Sequence, residues 1–487
     1  MDLDRDICYR ALRTRDSRFD GRFFTAVRTT GIYCRPVCPA TTPKLENCTF
    51  FPLAAAAQEA GFRPCLRCRP EAAPGSPAWA GTSTTVRRAL KLINGGALDG
   101  AGVGQLADRL GVGERHLRRL FARHVGASPL AVAQNRRLLF AKKLLDETDL
   151  TMTEVALAAG YSSLRRFNAA LRNAYGRSPG SLRRKGGWSG GATDLMLELT
   201  FREPYHWPAI CDFLGRRAIP GVEEVTNDCY RRTIAVAGSH GVVEVSPHIP
   251  GALTARIKLA RPVPIIGIVQ RLRRLFDLDV DPAEVAAQLA EDVVIGADVA
   301  RLPGLRVPGA WDGFELGVRA ILGQQVTVKG ATTLAGRLVA EWGEPLTLNG
   351  RATACGSLSH VFPEAGRLAG ADLTGIGLPR ARAATISGLA KAIDDGEMRF
   401  DGATPFEAAR AGLLALPGIG AWTADYIAMR ALRDPDAFPA GDLGLRKAAA
   451  ARGGPDDAKE LAALSQNWRP WRAYAALLLW TGGTESE

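Results

Sequence analysis

The chain has no apolar run long enough to cross a membrane. Its first residues, Met1-Asp-Leu-Asp-Arg-Asp, are acidic and lack the apolar core of a secretory leader. No short-period repeat and no long low-complexity tract interrupts it. These absences argue against a membrane protein, a secreted one and a repeat array. The expectation is a cytoplasmic, nucleoid-associated protein with no membrane partner. Hydrophobic residues make up 46% of 487, ordinary for a folded water-soluble chain, and the length suggests three or four domains.

Charge is unevenly placed. Residues 1–190 carry 31 Lys and Arg against 15 Asp and Glu, while the remainder carries 31 against 35. The excess of +16 therefore lies wholly in the first part, and a polyanion is its natural partner. Breaks occur at Ala72-Ala-Pro-Gly-Ser-Pro, at Lys185-Gly-Gly-Trp-Ser-Gly-Gly and, more softly, near Leu302-Pro-Gly-Leu-Arg-Val-Pro-Gly. Periodicity predicts short amphipathic helices over 82–185. Strands alternate with helices over 194–300, at 195–201, 232–237, 241–245 and 254–259. Helices return over 310–482.

Cys34 and Cys38 are spaced C-x3-C, and Cys65 and Cys68 C-x2-C. Two short thiolate pairs complete a tetrahedral site, and in a reducing compartment the expected ion is zinc. Most such sites are purely structural. The flanking runs, Phe24 to Cys38 and Gly61 to Cys68, resemble the N-terminal domain of the Ada-type adaptive-response regulators. That resemblance implies that Cys34 also takes a methyl group from a methylated DNA phosphate. The chemistry is sound, because a zinc-bound thiolate stays deprotonated and nucleophilic at neutral pH.

Two helix-turn-helix units are readable. One runs from Gln105 through Gly113 into Glu114 to Arg123, the other from Met152 through Tyr161 into Ser162 to Arg172. Each second helix spaces apolar residues three or four apart. Its other faces carry arginines, among them Arg118, Arg119, Arg165 and Arg166. With the joining helix around 136–145 they resemble the AraC-type DNA-binding domain. This implies promoter binding, with RNA polymerase as a further candidate partner.

Near the C-terminus, Leu414 to Tyr426 holds P-G-I-G between two helices, a turn that frees amides for a phosphate. Asp442 follows Trp422 by twenty residues. The pairing resembles the helix-hairpin-helix glycosylases. Tyr205-His-Trp, Leu275-Phe-Asp-Leu, 303–309, 314–328 and Trp468-Arg-Pro-Trp-Arg-Ala-Tyr narrow the resemblance to AlkA-type 3-methyladenine DNA glycosylases. It implies that Asp442 stabilises the cationic sugar and that Trp422, Tyr426 and Trp480 line the pocket of a flipped base. It further implies that Gly418 and Gly420 offer amides to phosphate. The carbonyls of Leu414, Leu416 and Ile419 would hold a monovalent cation.

Two departures accompany it. Trp422 stands where some hairpin glycosylases carry a Schiff-base lysine, which implies a monofunctional enzyme. Gln325 stands where close relatives place a leucine wedge. The Ada-type P-C-H-R motif is absent, as is a C-terminal four-cysteine cluster. The fold expected is multidomain, mainly α with α+β parts. A zinc domain (1–75) is followed by an all-α double helix-turn-helix (82–185), a mixed α+β domain (194–300) and an all-α hairpin glycosylase region (301–487). The expected function joins an alkylation-responsive transcriptional regulator to a glycosylase for alkylated bases, acting on damaged and promoter double-stranded DNA. The alternatives are a transcription factor whose glycosylase fold only binds DNA, and a glycosylase with a basic tether.

Overall fold

The computed structural model describes residues 4–73, 84–184, 187–188, 190–348, 351–352 and 355–482. Most of the first break (74–77) and three positions of the second (185, 186 and 189) lie outside the described residues. By compactness the chain forms two units. One holds Met1–Arg202, Gly251–Gln270 and Leu278–Val280; the other holds Glu203–Pro250, Arg271–Asp277 and Asp281–Glu487.

The first unit opens with the helix Arg5–Thr14, whose N-terminus Asp4 caps by accepting from the Asp6 and Ile7 amides, each at 2.9 Å. A four-stranded sheet follows, in the order Cys48–Phe51, Phe24–Val27, Ile32–Cys34, Arg63–Pro64. Its outer strand is parallel to Ile32–Cys34, and the other pairs are antiparallel. Phe24, Ala26 and Tyr33 bury against Ala54 and Ala57 of the helix Ala54–Glu59. These strands are two to four residues long, too short for a period-two pattern to show in the sequence.

Both helix-turn-helix units form as read. Val103–Leu110 turns through Gly111 (φ 70°) into Glu114–His124. Met152–Ala158, opened by a Thr151/Glu154 capping box, turns through Gly160 (φ 78°) into Leu164–Tyr175. The helix Pro129–Glu147 joins them. Part of the basic excess is internal there. Lys142 pairs with Asp146 at 2.6 Å and Lys143 with Glu147 at 2.7 Å, all largely buried. The zinc module packs on the same helix. Asn135 donates to Gln58 at 2.7 Å, the Ser128 amide donates to Glu59 at 2.8 Å, and Arg69 lies 3.2 Å from Asp146. The strands Asp194–Thr200 and Ala252–Leu259 pair antiparallel within this unit.

The second unit combines the strands Glu223–Val225, Tyr230–Val236 and Ser239–Ile249 with a helical body. The strands expected at 232–237 and 241–245 are there; Glu223–Val225 was not foreseen. The region expected to be wholly helical also carries two small ladders, at Glu344–Pro345 with His360–Val361 and at Thr347–Leu348 with Arg351–Ala352. Its core gathers Leu316, Ile321, Leu338, Ile386, Leu389 and Ile427 from successive helices.

A buried ion network crosses this core. Arg232 meets Glu315 at 2.7 Å, Arg319 meets Glu223 at 2.7 Å and Glu315 at 3.1 Å, and Tyr230 donates to Glu223 at 2.6 Å. Burial alone would raise the Glu223 carboxyl. Arg319 and Arg232, with hydrogen bonds from Tyr230 and the Ile219 amide, instead hold it at about 2. Its share of stability is thus present above the ordinary carboxylate range and lost as pH falls through about 2. Glu315→Ala leaves buried Arg232 with Glu223 alone at 3.8 Å and takes from Arg319 one of its two carboxylates. It is expected to destabilise this unit by about 3–5 kcal/mol, read as a shifted denaturant midpoint. A midpoint within experimental error of the wild type would show the network to be dispensable.

Candidate functional site

Cys34 ends the strand Ile32–Cys34, Cys38 follows a turn, and Cys65 and Cys68 bracket the loop after Arg63–Pro64. The fold brings all four sulfurs within 4.8 Å of one another, with Cys38 and Cys65 at 4.0 Å. Zinc–thiolate bonds of about 2.3 Å set tetrahedral sulfurs roughly 3.8 Å apart, so the cluster fits that ion. A hydrogen bond from Cys34 lowers Cys38 to about 7, and Cys65 is lowered in the same way, while hydrogen bonds with Cys38 and Cys65 raise Cys34 and one with Cys34 does most to raise Cys68. Four thiolates need a cation to coexist. The Arg35 amide also donates to Cys68 Sγ at 3.3 Å. Cys38, Cys65 and Cys68 are buried, and Cys34 is half-buried.

On the helix-turn-helix units, Arg118, Arg119, Arg165 and Arg166 are exposed, as are Arg115, Arg123 and Arg172. Leu117 and Phe121, then Phe167 and Leu171, turn the opposite faces into the core. Among the described residues these guanidiniums have local partners, Arg118 with Glu114 at 2.6 Å, Arg119 with His116 Nδ1 at 3.1 Å and Arg166 with Ser162 at 3.2 Å, which a phosphate readily displaces.

The hairpin joins the helices Phe406–Leu414 and Ala421–Arg430. Gly418 is left-handed (φ 86°), and a Cβ there would collide with Thr385 Oγ1, so only glycine fits. Gly420 caps the second helix. Leu414 is exposed at the end of the first, Leu416 accepts from the Ile419 amide at 3.1 Å, and Ile419 is buried. Beside the hairpin lies a cavity of about 1040 Å³ that Asp442, Trp422, Tyr426 and Trp480 all line. Trp422 stacks on Tyr426 (5.4 Å, 11°), and Trp480 meets Tyr426 edge-on at 6.2 Å.

Asp442 caps the helix Leu443–Ala450 by accepting the Leu445 amide at 2.9 Å. The same carboxylate accepts the indole N–H of Trp480 at 3.0 Å on Oδ1 and of Trp422 at 2.8 Å on Oδ2. The two aromatic walls are therefore fixed by the carboxylate between them. Gln325, exposed on the cavity rim, is held at φ 56°, where a non-glycine residue is strained. Next to it Val326 and Val328 are 39% and 41% exposed, and across the rim Leu443 is 59% exposed. Apolar side chains displayed together in this way mark the rim as a surface for a partner rather than for water.

This order of modules agrees with four family models. The metal binding domain of Ada matches residues 7–71, a helix-turn-helix domain 106–185, the AlkA N-terminal domain 196–312, and the HhH-GPD superfamily base excision DNA repair proteins 318–473. A Mycobacterium tuberculosis protein, named as a probable bifunctional transcriptional activator/DNA repair enzyme AlkA, is 43% identical over 486 residues, covering 99% of this chain and 97% of its own. The chain belongs to that family. Its C-terminal part is 36% identical over 290 residues to DNA-3-methyladenine glycosylase 2 of Escherichia coli, 96% of which is covered. Its N-terminal part is 30% identical over 177 residues to the bifunctional transcriptional activator/DNA repair enzyme AdaA of Bacillus subtilis, 81% of which is covered.

One pocket residue escaped the sequence reading. Arg217 lines the cavity, stacks 3.9 Å from the Phe213 ring and donates to the Phe213 carbonyl. It lies 205 residues before Trp422, outside every motif. Burial works against ionising Tyr426, yet Arg430 and Arg217 beside it outweigh that and hold the phenol below its ordinary range. The cavity that Asp442 lines thus also holds the Arg217 guanidinium.

Proposed function

We propose that this chain is a bifunctional alkylation-response protein. Its first part accepts methyl groups from DNA methylphosphotriesters on Cys34 and regulates transcription. Its second part is a monofunctional glycosylase that excises alkylated purines of the 3-methyladenine and 7-methylguanine type. The observation that carries the glycosylase is Asp442, shared by two indole donors at the mouth of an aromatic cavity beside the hairpin.

A base flipped out of the duplex would lie against Trp422 and Tyr426, with Trp480 at its edge. As the N-glycosidic bond breaks, the electron pair leaves with the base and positive charge grows on the sugar. The Asp442 carboxylate opposes that charge, and water completes the abasic product. No amine stands at Trp422 to trap the sugar, so the strand stays intact. Gly418 and Gly420 would offer amides to a phosphate. The carbonyls of Leu414, Leu416 and Ile419, at the negative end of a helix, suit a monovalent cation there. Gln325 would occupy the gap left by the flipped base.

Zinc, when bound, keeps the four sulfurs as thiolates. Exposure favours Cys34 among them as acceptor, because it is half-buried where the other three are buried. Methylating one sulfur removes a unit of negative charge facing DNA, so affinity for the promoter rises. RNA polymerase is the partner an activator so positioned would recruit. Incubation with methylated duplex, scored for both base release and a methyl group on Cys34, tests the two halves separately. Base release without protein methylation would leave a glycosylase on a basic tether. Protein methylation without base release would leave a regulator on a silent fold.

The arginines make a further expectation. Replacing Arg118, Arg119, Arg165 and Arg166 by alanine should flatten the plot of log affinity against log salt by roughly 0.9 for each phosphate that is no longer neutralised. An unchanged slope would show that the protein neutralises phosphates through other residues.

A further inference from the structure

A second cavity, of about 610 Å³, opens beside Cys34. One wall is the zinc-module sheet. Thr25 and Cys34 are paired directly across its antiparallel ladder, so their side chains share a face. Both line the cavity. Thr25 is fully buried, and its hydroxyl has no hydrogen-bond partner. A buried hydroxyl left this way is destabilising unless a ligand supplies the partner.

The other wall comes from the helix-turn-helix region. Tyr175 and Arg177, at the end of the second recognition helix, line the same cavity. The two modules close on each other there. A Cβ on Gly176 would sit 3.5 Å from Arg63 Nη1. Arg63 and Arg67 line the cavity from the zinc module. All three arginines are exposed, and none has an acidic partner among the described residues. A thiolate cluster thus faces three uncompensated guanidiniums and one unpartnered hydroxyl, a set suited to a phosphate and drawn from two modules.

We propose that Arg177 and Thr25 are substrate-binding residues of the methyl-acceptor site, so that the helix-turn-helix region completes the cavity in which a methylated DNA phosphate meets Cys34. This rests on Cys34 being the acceptor. In the transfer a carbon–sulfur bond forms to Cys34 and the methyl carbon–oxygen bond of the triester breaks, its electron pair leaving on the phosphate oxygen. The triester is neutral, and the diester product carries one negative charge. Donors around that oxygen therefore act mainly on the transition state, which raises the rate of transfer more than the affinity for substrate. Arg177 supplies charge, and Thr25 a hydroxyl donor beside the sulfur.

The test uses the full-length, zinc-loaded protein and a duplex bearing one methylphosphotriester, followed in single turnover at saturating DNA. Arg177→Ala and Thr25→Val should each slow methylation of Cys34 at least about tenfold, with zinc content and base release retained. Affinity for a duplex bearing one methylphosphonate, neutral and unable to transfer, should change less than the rate in both variants, and no more than affinity for an unmodified duplex. Transfer at the wild-type rate in both variants overturns the proposal while leaving Cys34 as acceptor. Arg177→Ala that weakens both duplexes equally and transfers at the wild-type rate marks a general DNA contact, and also overturns it. A wild-type protein that takes no methyl group removes the reading of Cys34, and this proposal with it. Arg177 is exposed, so its variant remains informative if Thr25→Val loses zinc.

Discussion

Asp442→Asn is expected to slow single-turnover release of 3-methyladenine or 7-methylguanine by roughly 10³-fold, with little change in DNA affinity. The loss has two sources. The amide carries no charge to oppose the cationic sugar. It also accepts on one atom only, whereas the carboxylate accepts the Leu445 amide and the Trp480 indole on one oxygen and the Trp422 indole on the other. If Asn keeps the first two bonds, its amide nitrogen faces the Trp422 N–H, donor against donor. Trp422 should then loosen from Tyr426, and its fluorescence should shift. The helix Leu443–Ala450 should survive, because Asn caps as well as Asp. Asp442→Ala would remove the cap too, at a cost of about 1 kcal/mol, so it is the poorer probe of chemistry. Near-normal excision by Asp442→Asn would sink the role given to this carboxylate. A borohydride-trapped adduct in the wild type would contradict the monofunctional reading.

What the sequence made legible was what lay close together along it. Two cysteine pairs, two glycine-turned helix pairs and the P-G-I-G hairpin are each local, and chain spacing implies their geometry. Asp442 and Trp422 are twenty residues apart and were paired by family resemblance, but their hydrogen bond was not foreseen. Arg217 and Arg177 could not be found in this way. The first enters the aromatic cavity beside the hairpin, and the second the cavity beside Cys34, only because distant segments pack together. The left-handed backbone at Gln325 is equally silent in sequence, since nothing in a glutamine announces a positive φ. Nor does a lysine announce its burial. Lys142 and Lys143 count toward the basic excess yet face Asp146 and Glu147.

Cys34→Ser and Cys65→Ser should part company, though both remove one of four sulfurs. Cys34 is half-buried at the end of its strand, so water can take the vacated position and three thiolates can still hold zinc. That variant should lose methyl transfer completely while keeping part of its metal. Cys65 is buried, and its amide donates to the Tyr33 carbonyl at 3.0 Å, which ties the ligand to the sheet. A serine there lacks the thiolate that this tied position presents, so Cys65→Ser should lose zinc. Metal binding in a module this small is folding free energy, on the order of 10 kcal/mol for structural zinc sites, so the sheet should melt with it. The damage should spread along Arg69, which follows Cys68 and reaches Asp146 and Glu147 on the joining helix. Promoter binding should therefore weaken in Cys65→Ser and persist in Cys34→Ser. Zinc released per chain, the mass of the protein after exposure to methylated duplex, and a thermal melt of each variant decide it. Equal zinc loss from both would mean that exposure does not distinguish Cys34. The case for it as the acceptor would then rest on a methyl group found there by mass spectrometry.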